Sequence, residues 1–174
     1  MSKIVFTTKR LAVRRWRDSD LDAILAVYGD AKAMQWVDDG EPITLEEALR
    51  WLDVTRSNYE QRGYGMFAVE MPSSPEVIGF CGIVHPDGQK EAEIKYAYRR
   101  SYWGRGIATE IARGVIEYGA KTCGLDYMIA TTAPENTASH QVLLKAGMKR
   151  GELRDQGDGS QTQLFYWRTD IGET

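Results

Sequence analysis

Residues 92–132 leave this chain few ways to fold. An alternating segment at 92–98 reads as a strand. Tyr102-Trp103-Gly104-Arg105-Gly106 follows, and then a helical pattern that sets Ile107, Ala108, Ile111, Ala112, Val115 and Ile116 on one face. Residues 127–132 read as a second strand. A strand, a glycine turn, a long amphipathic helix and a strand make a crossover, and a crossover of this length sets its two strands parallel in one sheet.

The flanking sequence reads as hairpins and shorter helices. Residues 11–16 form a strand. Residues 18–28 form a helix, with Asp18 as N-cap and Leu21, Ile24, Leu25 and Tyr28 along one side, and residues 31–37 add a short helical turn. Residues 44–61 form a second helix, opened by a capping box of Thr44 and Glu47, striped by Leu45, Ala48, Leu49 and Leu52, and stopped by Gly63. Residues 64–71 and 77–84 pair antiparallel across Pro72-Ser73-Ser74-Pro75. After the crossover come a short helix at 136–146 and two strands, near 148–153 and 163–169, joined at Gly157-Asp158-Gly159. The expected product is a mixed sheet packed against helices.

With 174 residues and a 43% hydrophobic fraction, the expectation is one domain over 1–174 with one continuous core. A net charge of -3 argues against nucleic acid as the main partner, because phosphate contacts need a basic face. No apolar run approaches the ~20 residues that span a bilayer, and residues 1–8 lack the apolar stretch of a signal peptide, so no membrane partner and a cytoplasmic location are expected. Cys81 and Cys123 form no Cys-x-x-Cys pair and read as small buried hydrophobes. His85 and His140 lack partners at ligand spacing, so no metal site is expected.

Gly104 and Gly106 stand between a strand and a helix N-terminus. There the first backbone N–H groups have no intrahelical partner and the helix dipole is positive. Glycine lets a phosphate come close, and Arg99, Arg100 and Arg105 add charge around the turn. Taken alone, a Gly-x-Gly turn fits a phosphate cradle and also a connection with no ligand. No Gly-Lys-Ser/Thr follows, so it is not a Walker loop. The third glycine of the dinucleotide fingerprint is missing too.

A longer series of residues is more specific. Glu93-Ile94-Lys95-Tyr96-Ala97-Tyr98, Trp103-Gly104-Arg105-Gly106-Ile107-Ala108-Thr109-Glu110, Asn136-Thr137-Ala138-Ser139 and Lys145-Ala146-Gly147-Met148 resemble, in this order, the GNAT superfamily of N-acetyltransferases. The opening Thr8-Lys9-Arg10-Leu11 is similar to the RimJ/RimL branch of that superfamily, and the likeness covers essentially the whole chain. The resemblance implies an α+β fold, a mostly antiparallel twisted sheet with a central parallel pair and helices on both faces. It implies acetyl-CoA as co-substrate and no metal. The family's Gln/Arg-x-x-Gly-x-Gly/Ala motif falls on Trp103 to Ala108, with Trp103 departing from the first position. The cofactor-binding set so implied is Tyr96, Ala97, Tyr98, Arg99, Gly104, Arg105, Gly106, Ile107, Ala108, Thr109, Asn136 and Ser139. Amides from Gly104 to Thr109 would hold the diphosphate. The pantetheine arm would lie between strands that splay near 96–98, against backbone groups and Asn136.

Acetyl transfer to an amine requires loss of the amine's proton, stabilisation of the developing oxyanion, and support for the leaving thiolate. At pH 7 a lysine amine costs ~4.6 kcal/mol to present neutral and an α-amine only ~1–1.4 kcal/mol, so an α-amine acceptor manages with a weak base. Glu93, at a carboxylate position common in the branch, is the candidate base; on alternation it should face away from Tyr96 and Tyr98. The plain alternative for Glu93 is a surface or salt-bridged glutamate. The tyrosine that many GNAT members use as acid aligns with Leu143, so Ser139 is the candidate acid, or else a residue that only caps its helix or binds cofactor. The N–H near Tyr98 is the expected oxyanion donor. The acidic stretch Asp38-Asp39-Gly40-Glu41, beside Trp36, borders the acceptor site in this family and is otherwise a solvated loop. Trp51, Tyr59 and Tyr64 read as core or cleft-wall aromatics.

The expected activity is transfer of acetyl to a primary amine, foremost the α-amine of a protein N-terminus. A small-molecule amine (polyamine, amino acid or antibiotic) is one alternative, and a non-catalytic acyl-CoA-binding module another. A homodimer is compatible with either enzyme.

Overall fold

The computed structural model describes residues 3–37, 40–74 and 76–170. One sheet runs through it, in the strand order β1-β2-β3-β4-β5-β6-β8-β7. The strands are β1 (Ile4–Thr7), β2 (Ala12–Arg14), β3 (Met66–Glu70), β4 (Val77–Val84), β5 (Ala92–Tyr98), β6 (Tyr127–Thr132), β7 (Lys149–Asp155) and β8 (Gln161–Arg168). All neighbours pair antiparallel except β5 and β6, which pair parallel across the crossover helix. The helices are α1 (Leu21–Tyr28), α2 (Leu45–Arg62), α3 (Ile107–Lys121) and α4 (Thr137–Lys145). The α+β architecture expected from the sequence, mostly antiparallel with one central parallel pair, is the one found.

Alternation along the strands divides the core into two layers. Phe67 and Val69 of β3 face α3, where Ile111, Val115 and Ile116 pack with Met128, Phe165 and, from α4, Leu143. Met66 and Ala68 face the other way, onto Ile24, Val27 and Tyr28 of α1 and Ala48 and Leu52 of α2. The α3 stripe read from the sequence is thus the one buried. Cys81 is buried, Cys123 partly so, and both thiols are free; burial raises the pKa of each.

Several local expectations change. Strand β1 had no clear alternation and was not expected. It pairs with β2 across a tight turn in which Thr8 N–H donates to Leu11 C=O. Asp18 is not the cap of α1. It opens a short 3-10 turn, Asp18–Asp20, and Asp20 takes the cap position of α1 without capping it. The Asp20 carboxylate turns back to the Arg17 N–H at 2.8 Å and to the Arg14 guanidinium at 2.8 and 2.9 Å. A buried cation outbids a cap for that carboxylate. In α2 the capping box of Thr44 and Glu47 forms and Gly63 ends the helix with a left-handed backbone, as expected. The buried face, however, is centred on Ala48, Leu52 and Thr55, while Leu45 and Leu49 are 54% and 49% exposed. The helix is rolled so that only one edge of its apolar stripe meets the sheet.

The Arg14–Asp20 pair is the costliest polar contact in the core. Both side chains are almost fully buried, and Glu70 lies 3.2 Å from Arg14 Nε without the alignment of a hydrogen bond. The hydrogen bonds that Arg14 donates to Asp20 hold the Arg14 pKa above its ordinary value against the opposing effect of burial. Asp20→Ala leaves a buried guanidinium with Glu70 and the Arg15 carbonyl as its remaining partners. The variant is expected to lose about 3 kcal/mol of stability, measured as a lower urea midpoint at an unchanged slope.

Candidate active site

The parallel pair is short. Strands β5 and β6 are in register at Ala92 with Met128 and at Glu93 with Ile129, and no further. From Ile94 and Ala130 onward the strands diverge, and the backbone groups on their facing edges have no ladder partner in the sheet. A cleft of about 900 Å³ opens along this split. Its walls are the free edge of β5 from Ile94 to Tyr98, residues 130–133 at the end of β6, the start of α4, and Trp36 and Gly40 from the loop after α1.

The Gly-x-Gly turn closes one end of the cleft. Gly104 and Gly106 both have φ near +75°, and Gly106 is the N-cap of α3. A side chain at either position would be strained, and one at Gly104 would project into open space. Gly104, Gly106, Ile107, Ala108 and Thr109 line the cleft, so the unpartnered amides of the first turn of α3 open onto it. This is the arrangement an anion needs. The split edges, in turn, fit an extended chain that carries amide groups.

Of the residues expected at the site, Tyr96, Ala97, Tyr98, Asn136 and Ser139 also line the cleft. Asn136 is the N-cap of α4, its Oδ1 accepting from the Ser139 N–H at 3.3 Å. That bond aims the first turn of α4 at β5, where Ser139 Oγ meets the Tyr96 hydroxyl at 2.7 Å. Burial pushes the Tyr96 phenol up to about 12, with the Ser139 hydrogen bond acting the other way. Leu143, at the position aligned with the family's tyrosine acid, is buried in the core.

Three expected residues lie off the cleft wall. The Arg99 side chain turns away to donate to Val77 C=O at 2.8 Å and to face Glu76. Arg105 lies over the ring of Tyr102. Both guanidinium groups thus have protein partners, and that of Arg105, Tyr102, lines the cleft. Glu93 points to the face opposite Tyr96 and Tyr98, as alternation requires, but it is buried. Its Oε1 accepts from Thr131 Oγ1 at 2.5 Å and its Oε2 from Gln89 Nε2 at 3.2 Å. Thr131 is exposed and lines the cleft, so Glu93 reaches the cleft through one hydroxyl.

A second cavity, about 560 Å³, lies on the α1 and α2 side. It shares Lys95 and Tyr96 with the cleft, so both cavities border the middle of β5. Tyr28, Trp51 and Val54 give it apolar walls, and Glu41, Glu47 and Asp87 give it carboxylates. His85 also lines it, with both ring nitrogens engaged by the Tyr64 hydroxyl at 2.8 Å and Gln89 C=O at 3.0 Å. The acidic stretch of the preceding loop does border the site at Gly40 and Glu41, while Asp38 and Asp39 lie outside the described residues. Tyr59 is a packing residue, stacked on Phe67 with its hydroxyl on Met66 C=O.

Thr131 was not singled out in the sequence. Its place two residues beyond the register partner of Glu93, on the same face, is the only signal that pointed to it. Thr8, Arg10 and Glu110 were quoted in motifs without a role. Thr8 Oγ1 and Arg10 both donate to the Glu110 carboxylate, and Arg10 also donates to Arg105 C=O.

Comparison with known proteins places this arrangement. Residues 10–149 match the model of an acetyltransferase (GNAT) domain. The uncharacterized N-acetyltransferase YnaD of Bacillus subtilis is 30% identical over 144 residues, covering 83% of this chain and 82% of YnaD. A GNAT-family acetyltransferase from Bacillus anthracis superposes with a TM-score of 0.78 at 24% identity, over 97% of this chain and 98% of its own. RimL, a ribosomal alpha-N-protein acetyltransferase solved with coenzyme A, superposes at 0.80 with 19% identity, over 98% and 100%. With a domain match over most of its length laid on a sheet that splits beside a helix N-terminus, the chain belongs to the GNAT family and is an N-acetyltransferase.

Proposed function

We propose that the chain transfers acetyl from acetyl-CoA to an α-amine, that of a protein N-terminus. The observation that carries this reading is that Lys95 and Tyr96 line both the cleft and the second cavity, which makes this stretch of β5 the junction of the proposed site. In the cleft, the amides of Gly104 to Thr109 hold the diphosphate and the split edges of β5 and β6 receive the pantetheine arm. The cavity receives the amine, its carboxylates drawing the cation and its apolar walls taking the neighbouring side chain. Acetyl-CoA supplies an activated acyl group at the junction.

The residues around the junction then have separate tasks. The amine gives its proton to Thr131 Oγ1 as that hydroxyl passes its own to Glu93, and a free N–H of β5 near Tyr98 faces the developing oxyanion. The Tyr96 and Ser139 hydroxyls support the departing sulfur. A phenol with a pKa of about 12 stays protonated throughout the working range, so it acts as a hydrogen-bond donor at every pH of interest. A buried carboxylate working through one hydroxyl is a modest base. It suits an acceptor that costs ~1–1.4 kcal/mol to deprotonate better than one that costs ~4.6 kcal/mol. RimL, which shares the fold, carries in its name the same class of acceptor. The carboxylates of the second cavity favour a second reading, a small polycationic amine.

An acceptor panel separates these readings. At pH 7 a peptide with a free N-terminus is expected to react ~10²-fold faster than its N-blocked lysine counterpart. The gap narrows as pH rises, because lysine gains neutral amine after the α-amine has none left to gain. A polyamine or lysine peptide that wins at pH 7 removes the N-terminal reading.

Two variants test the machinery. Glu93→Gln and Thr131→Val are each expected to lower kcat by about tenfold or more at unchanged acetyl-CoA affinity, while Thr131→Ser keeps most of the rate. A Glu93→Gln enzyme with wild-type turnover takes that carboxylate out of the reaction. Gly106→Val strains a left-handed backbone by ~1–2 kcal/mol and presses a side chain against the Arg10 guanidinium behind the turn, which displaces the cradle amides. Acetyl-CoA binding by calorimetry is expected to vanish in a protein that still melts cooperatively, and normal binding there contradicts the cradle.

A further inference from the structure

We propose that Arg10 is a positioning residue for the cofactor: it orients the Arg105–Gly106 peptide so that the Gly106 amide faces the diphosphate. The inference rests on the acetyl-CoA reading above. Arg10 Nη1 donates to Arg105 C=O at 2.9 Å. All peptide bonds among the described residues are trans, and in a trans peptide the C=O and the next N–H point in opposite directions. An arginine that holds the oxygen of this peptide on one side therefore turns the Gly106 N–H to the other. Gly106 lines the cleft and Arg10 does not. The guanidinium stands behind the turn, its Nη2 3.5 Å from the point where a Gly106 Cβ would lie. It also withdraws electron density from the carbonyl it binds, which makes the attached N–H a stronger donor.

The anchor of Arg10 is equally specific. Its Nε donates to Glu110 Oε1 at 2.7 Å, its own N–H to Glu110 Oε2 at 3.0 Å, and Thr8 Oγ1 to Glu110 Oε2 at 2.5 Å. Burial would raise the Glu110 carboxyl, and these donors overcome that and hold it below the usual carboxylate range. Glu110 is the fourth residue of α3, one turn from the phosphate cradle. Unpaired, its charge would oppose an anion there. Paired with Arg10, it fixes the fork and its repulsion is cancelled. The β1–β2 turn thus reaches across the fold to brace the cradle from behind.

The test compares two acyl donors. S-acetylpantetheine carries the thioester and the arm but no diphosphate. Arg10→Met is expected to weaken acetyl-CoA binding and its kcat/KM by about tenfold, with kcat/KM for S-acetylpantetheine unchanged. Arg10→Lys keeps the charge but loses the fork, and is expected to recover only part of the loss. Glu110→Gln is expected to show a smaller loss of the same kind, again for acetyl-CoA alone. Equal losses with both donors mean a general structural defect and overturn the proposal, as does wild-type affinity in Arg10→Met. A wild-type protein that binds no acetyl-CoA overturns the cofactor reading, and this inference with it.

Discussion

The site depends on a pairing that stops. Strands β5 and β6 are in register at only two residue pairs and then part, although each keeps its other neighbour, β4 or β8, over most of its length. The sheet is therefore rigid on both sides of a gap. Backbone amides and carbonyls along that gap are strong hydrogen-bonding groups, and leaving them away from water without partners is costly. A flexible loop would answer by closing. These edges are held apart by long antiparallel ladders, by the packing of α3 beneath β5 and by α4 beneath β6, so a ligand that supplies strand-like partners gains their full value. Preorganisation of this kind spares the ordering cost that binding otherwise incurs.

The same rigidity governs the anion end. A helix N-terminus attracts phosphate wherever it is exposed, but it holds a diphosphate tightly only if the amides before the first turn are oriented as well. The turn at Gly104 to Gly106 is left-handed at both glycines and so has no intrinsic reason to keep one orientation. Its orientation comes from contacts outside the turn: the Trp103 indole N–H on Tyr98 C=O at 3.0 Å from one side, and Arg10 on Arg105 C=O from the other. The helix itself is seated by the N-terminal hairpin. Phe6 and Thr8 pack so closely over Gly114 that a Cβ there would lie 2.7 Å from the Phe6 ring. The first strand of the chain is therefore part of the cofactor end of the site, though it lies far from that end in sequence.

How much of this was legible in the residues follows from what each signal encodes. Periodicity reports burial, so the face of α3 was readable, and the capping box of Thr44 and Glu47 was readable because it is a purely local bond. Helices on both faces came from the family resemblance, and one continuous core was expected where two layers are found. The roll of α2 was not, because Leu45 and Leu49 satisfy the same period as Ala48 and Leu52. Only the curvature of the sheet decides which edge docks. Asp18 and Asp20 are equally good caps in isolation, and the choice was made by a buried arginine six residues upstream. At the site the glycines are local and were read directly, while Asn136 was placed there by the resemblance and its role as the cap of α4 was not read. Glu93 was placed on the correct face by alternation, but its burial behind Thr131 depends on the inter-strand register. The role of Arg10 depends on a contact 95 residues away. Charge near a motif is less local by comparison: Arg99 reaches to Val77 C=O, and Arg105 lies over Tyr102, which itself lines the cleft.

The hydroxyls at the junction show how one task passes between elements. On α4 the position aligned with the family's tyrosine carries Leu143, which is consumed by the core. A phenol nonetheless stands beside the cleft, delivered from β5 by Tyr96 and tied to α4 by Ser139. From a strand the ring is held by its neighbours: it stacks on Tyr98, with centroids 6.0 Å apart, and burial keeps its proton on. Such a group is a weak acid and cannot protonate a thiolate outright, since a free thiol, with a pKa of about 8.5, is the stronger acid. It can donate a fixed hydrogen bond as charge builds on sulfur, and it needs no proton return between turnovers. That exchange of acidity for constancy matches the proposed base side, where the buried Glu93 would act through the Thr131 hydroxyl. On the proposed reading the phenol is a weak acid partner, and an amine that is already partly neutral at pH 7 would be the acceptor for which it suffices.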